Sequence, residues 1–77
     1  MTATIKIKLY ATLAKHIPEN PEAFPIKNGI RVKELAENLG VDVSAVKLVF
    51  INGIKKDIET RIGDGDRVGL FPPVGGG

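Results

Sequence analysis

Residues 31–40 read RVKELAENLG. Val32, Leu35, Ala36 and Leu39 recur at i, i+3, i+4 and i+7, which is one face of an amphipathic helix about two turns long. Lys33, Glu34, Glu37 and Asn38 take the wet face. Gly40 stands where a helix closes through a left-handed residue, a conformation that costs a glycine nothing. Arg31 is a poor N-cap, because its side chain offers no acceptor to the first free N–H groups. A lone helix with one apolar stripe must bury it against another element. The rest of the chain supplies strands.

Upstream, Thr4 to Tyr10 alternates. Ile5, Ile7 and Leu9 point one way; Thr4, Lys6, Lys8 and Tyr10 point the other. That is the pattern of a half-buried strand. Thr12 to Ile17 fits a helical turn that Pro18 and Pro21 break. Ala23 to Lys27 is short and β-like, and Pro25 confines it to an edge. Asn28-Gly29 closes it. Downstream of the helix, Asp42 or Ser44 caps a further short turn. Leu48-Val49-Phe50-Ile51 is a dense strand. Asn52-Gly53 then predicts a type I′ hairpin, which needs positive φ at both central residues. Ile54-Lys55-Lys56 forms the return arm, and Ile58 and Ile62 plug the core below the next connection. Gly63-Asp64-Gly65-Asp66 is a tight turn before the last strand, Arg67 to Phe71, with Val68 and Leu70 inward.

The order is β, short β, α, β, β, β. One mixed sheet packed on one main helix in this order is an α+β fold of the ubiquitin-like β-grasp type. In that arrangement the first and last strands lie side by side and parallel. The expected division is a β-grasp domain over 1–71 and an extended, flexible glycine tail over 72–77.

Composition narrows the function. A chain of 77 residues makes one small domain that buries about 60% of its unfolded surface. There is no cysteine, which excludes disulfides, cysteine-ligated metals and a cysteine nucleophile, and favours a cytoplasmic setting. The opening MTATIKIKLY alternates apolar residues with lysines, unlike a signal peptide, and no apolar run is long enough for a membrane span. The formal net charge is +2, with one tyrosine, three phenylalanines and interspersed charges. That is read as a solvated surface, with no nucleic acid and no membrane as partner.

Two aromatic residues break the pattern. Tyr10 is out of phase with Ile5, Ile7 and Leu9, and Phe71 is out of phase with Val68 and Leu70. On neighbouring strands both would face solvent beside the departing tail, forming a small apolar patch for a partner. Ile54, just past the hairpin turn, is a further candidate for that patch. Pro72-Pro73 cannot continue a ladder and favours an extended path away from the body. Gly75-Gly76-Gly77 has no side chains, so it fits a narrow tunnel and leaves a terminal carboxylate within reach of another enzyme.

FPPVGGG, after GDGDRVGL and the upstream VFINGIKKDIETRI, resembles the MoaD/ThiS-type sulfur carriers, most of all the small subunit of molybdopterin synthase. The resemblance covers essentially the whole chain and is most specific from Val49 to Gly77. It implies a carrier that is not itself an enzyme. Gly77 would be adenylated by an E1-like adenylating enzyme that consumes ATP, and sulfur would then replace the AMP to give a thiocarboxylate. Gly76 matches the other half of the family's diglycine, while Gly75 stands where relatives carry another small residue. Tyr10 and Phe71 match aromatic positions of the family's docking face. The implied partners are that activating enzyme, the molybdopterin synthase large subunit, and a sulfur donor such as a cysteine desulfurase system. The receiving chemistry would be pterin dithiolene formation for molybdenum or tungsten cofactor. Arg31 departs from the common Ser/Thr helix cap.

Other constellations are weak. Gly63-Asp64-Gly65-Asp66 lacks the further ligands of a calcium loop. His16 has no catalytic or metal-ligating companion, and no carboxylate pair forms an acid–base site. No metal or bound cofactor is expected. Three readings stay open: a sulfur carrier for pterin, thiamine or cysteine synthesis; a ubiquitin-like modifier conjugated through its terminal glycine; and a plain β-grasp binding module.

Overall fold

The computed structural model describes residues 2–73. Strands β1 (Thr2–Leu9), β2 (Phe24–Lys27), β3 (Leu48–Ile51), β4 (Ile54–Lys56) and β5 (Arg67–Phe71) accompany one α-helix, α1 (Val32–Asn38). Two short 3-10 helices, Ala11–His16 and Val43–Ala45, fill connections. The sheet order is β2-β1-β5-β3-β4. β1 and β5 are parallel, and every other pair is antiparallel. This is the expected mixed ubiquitin-like sheet.

The alternation in β1 is strict. Ala3, Ile5, Ile7 and Leu9 are buried and the residues between them exposed. The strand starts earlier than Thr4 because Ala3 also packs inward, opposite Ile26. β5 continues the same face, with Ile7 paired to Val68 and Leu9 to Leu70. Val32, Leu35 and Ala36 of α1 close over these residues and are fully buried. Each aliphatic side chain removed from water contributes about 1.5–3 kcal/mol. Ile62 completes the core, and Ile58 packs against it.

Local chemistry sets the joints. Asn52 and Gly53 have φ of 56° and 82°, as the hairpin requires. The Asn52 side chain also clamps the start of β5, donating to Asp66 Oδ1 and accepting from the Arg67 N–H, both at 3.0 Å. Asp64 Oδ1 accepts from the Thr4 N–H at 2.7 Å, and Asp66 Oδ2 from the Gly63 N–H at 2.8 Å. These carboxylates build the turn that delivers β5 alongside β1. The helix ends in a full Schellman motif: Gly40, at φ 81°, donates to Glu37, and Val41 donates to Ala36.

The weakly marked helix start has a tertiary solution. Val32 and Lys33 N–H groups donate to the carbonyls of Thr60 and Ile58, both at 3.0 Å. Glu34 reaches back to the Arg31 N–H at 3.1 Å. Two of the helix's orphan donors are thus met by a distant loop, where a Ser or Thr cap would meet one locally.

Candidate functional site: the outer sheet face and the exit of β5

The face of the sheet turned away from α1 carries an aromatic cluster. Tyr10 follows β1 in extended conformation and donates its N–H to the Leu70 carbonyl at 3.2 Å. That bond holds it beside β5. Its ring stacks on Phe71, with centroids 4.1 Å apart and planes 3° from parallel. Phe50 of β3 meets Phe71 edge-on at 5.4 Å and 77°. Both geometries suit the quadrupole of aromatic rings.

Gly69 lies beneath the Tyr10 ring. It sits between Lys8 and Phe50 in the register, on the same face. A Cβ there would stand 3.4 Å from Tyr10 Cε2, a close but ordinary contact. Only a larger side chain would compete with the tyrosine ring for the space over β5. Lys8, Phe50, Gly69 and Arg67 line, with the two stacked rings, an open depression of about 370 Å³. Tyr10 is exposed, while Phe50 and Phe71 are half-buried.

The cluster adjoins the point where the chain leaves the sheet. The Lys47 N–H donates to the Phe71 carbonyl at 2.7 Å, and β5 ends there. Pro72 and Pro73 bring no donor to extend the ladder; Pro72 is half-buried and Pro73 exposed. Gly75, Gly76 and Gly77 lie outside the described residues.

The structure brings Tyr10 and Phe71 together but leaves Ile54 apart. Ile54 is paired with Ile51, whose side chain is buried in the core. Directly opposed residues share a face. Ile54 therefore belongs to the helix side of an edge strand, where it is 59% exposed. Phe50 was hidden by its neighbours. In LVFI all four residues are apolar, so the alternation that sets Phe50 outward, against inward Val49 and Ile51, shows only once the strand is phased. Gly69 gave no signal without knowledge of the strand pairing. Among the described residues, no cluster of three or more His, Cys, Asp or Glu could hold a metal, and no helix is long and apolar enough to cross a membrane.

The model of the ThiS family matches residues 7–77 of the chain. No curated protein matches it. Among solved structures, the HVO 2177 protein of Haloferax volcanii is similar with a TM-score of 0.74 at 22% identity, over 99% of this chain and 88% of that one. SAMP1 from the same organism gives a TM-score of 0.66 at 21% identity, over 97% of this chain and 100% of that one. A chain from the complex of subunits 1 and 2 of molybdopterin-converting factor from Helicobacter pylori gives 0.53 at 29% identity, over 100% of both chains. At their identities the two Haloferax proteins speak to the fold alone.

Proposed function

We propose that this chain, which belongs to the ThiS family, is a sulfur carrier that works through the carboxylate of Gly77. A carboxylate is a poor acyl electrophile. Attack of its oxygen on the α-phosphate of ATP, with loss of pyrophosphate, gives an acyl-adenylate. The outer sulfur of a donor protein's persulfide then displaces AMP to give an acyl disulfide. A thiol cleaves its S–S bond, leaving the thiocarboxylate on Gly77 and a disulfide on the donor side. An E1-like adenylating enzyme and a sulfur donor such as a cysteine desulfurase system supply these steps, so catalysis resides in the partners. The recipient is a pterin precursor held by a large subunit, as in molybdopterin synthesis.

One observation carries this reading. β5 is hydrogen-bonded on both sides, by β1 and β3, and passes at once from Phe71 into Pro72-Pro73. A rigid recognition surface and the root of the tail are therefore contiguous. Tyr10, Phe71 and Phe50 are assigned to docking, Pro72-Pro73 to reach, and Gly75-Gly76-Gly77 to entry into narrow active sites. The family match through residue 77 and the relative seen in a two-subunit converting-factor complex support this assignment. A second reading, conjugation to lysines through Gly77, rests on the Gly76-Gly77 end alone, which sulfur carriers share with ubiquitin-like modifiers.

The test is the intact mass after incubation with ATP, an activating enzyme and a sulfur donor. The expected result is a gain equal to exchange of one oxygen for sulfur, abolished by deletion of Gly77 with unchanged cooperative melting. A ladder of covalent conjugates in cells, with no thiocarboxylate, would favour the modifier.

A further inference from the structure

All charged residues within the five strands are cations: Lys6, Lys8, Lys27, Lys55, Lys56 and Arg67. The nine acidic residues fall in the helix and the connections. The formal net charge is only +2, so the asymmetry is one of placement. Register sorts the cations further. Lys6 pairs with Arg67, Lys8 with Gly69, and Lys55 with Phe50. All four share the outer face with the aromatic cluster. The ion pairs found among the described residues join Arg31 and Lys33 to Glu59, beside the helix N-terminus. Lys6, Lys8, Lys55 and Arg67 take part in neither. Asp64 and Asp66, at the foot of β5, are engaged by backbone and Asn52 donors. Glu22, in the connection that runs along the β2 side of β1, lines a shallow depression with Lys8 without pairing to it.

We infer that the outer sheet face docks a partner protein whose contact surface is acidic around an apolar socket. The inference rests on the docking role given to Tyr10 and Phe71 above and specifies the chemistry of their partner. The rings fill the socket, and Lys6, Lys8, Lys55 and Arg67 form a cationic rim. Such a rim steers encounter and fixes register, and its effect falls with salt. The face is less suited to single-stranded nucleic acid. Base stacking uses open ring faces, and the mutual stack takes one face from each of Tyr10 and Phe71.

Calorimetric titration with the cognate large subunit of molybdopterin-converting factor tests this. The expected wild-type result is binding that weakens about tenfold or more as salt rises from about 50 to about 500 mM. Lys8→Glu with Arg67→Glu should weaken binding by a similar factor at low salt and flatten the salt slope. The milder Lys8→Gln with Arg67→Gln should lie between, and circular dichroism melts check that each variant is folded. Phe71→Ala should weaken binding while keeping the slope. Salt-independent binding, lost in Phe71→Ala but intact in the charge variants, would overturn the acidic-partner inference and leave the docking face standing. No binding by wild type at any salt would overturn the docking reading and this inference with it. Tighter capture of a fluorescent oligouridine than of the large subunit, lost in the charge variants, would overturn it in favour of nucleic acid.

Discussion

Tyr10 and Phe71 stack with their centroids 4.1 Å apart and planes 3° from parallel, though they come from opposite ends of the chain. The parallel pairing of β1 with β5 brings them together, and the Tyr10 N–H to Leu70 carbonyl bond fixes the register at their level. The stack is therefore a readout of the central strand pair, and its loss can be followed separately from the core.

Phe71→Ala removes the stack and the edge contact with Phe50. Aromatic pairs contribute about 0.5–1.5 kcal/mol each beyond burial, so a stability loss of about 1–3 kcal/mol is expected in urea unfolding, with cooperativity kept. Val68 and Leu70 still hold β5 to the core.

Gly69→Val tests the space under Tyr10. The added side chain meets the ring and displaces it from Phe71. Tyr10 ring protons should lose their upfield ring-current shift, while stability changes by less than about 1 kcal/mol, because valine suits a strand. Unchanged proton shifts would show that the stack does not depend on the glycine.

Gly40→Ala forces a Cβ into a residue held at φ 81°. The left-handed penalty predicts a loss of roughly 1–2 kcal/mol, read as a lower urea midpoint at constant slope. The nearest atom to the new Cβ, His16 Nδ1 at 3.7 Å, leaves room, so the cost is conformational and not steric crowding.

Asp42 caps the 3-10 turn at Val43–Ala45. The Ser44 hydroxyl and then the Ser44 N–H donate to its carboxylate and hold its pKa below the ordinary 3.8. A depressed carboxyl pKa contributes stability above the unfolded value and loses it as pH falls through the folded one. Wild type and Asp42→Asn should therefore differ at neutral pH and converge as pH drops below 3.8, checked by urea unfolding across that range.

The sequence carried most of the fold because its signals were local. Alternation in β1, the Asn52-Gly53 turn and Gly40 each state their conformation within a few residues. The aromatic pair was legible by phase alone, since Tyr10 and Phe71 interrupt clean alternations. The helix start was not legible. Its donors are met by Ile58 and Thr60 carbonyls, and backbone acceptors leave no trace in residue type. Phe50 was not legible for a related reason: LVFI is uniformly apolar, and only register against Lys55 and Gly69 sets Phe50 on the outer face. Ile54 opens a three-residue strand too short to phase, and its pairing with Ile51 puts it on the helix side.

The central position of β5 has a mechanical consequence. A partner that draws the chain beyond Phe71 into a tunnel pulls along the strand axis. β5 is laddered to β1 on one side and to β3 on the other, so such a load falls in shear on both sets of hydrogen bonds at once instead of peeling them one by one. The anchor resists as a unit, and the body stays rigid while its end is handled.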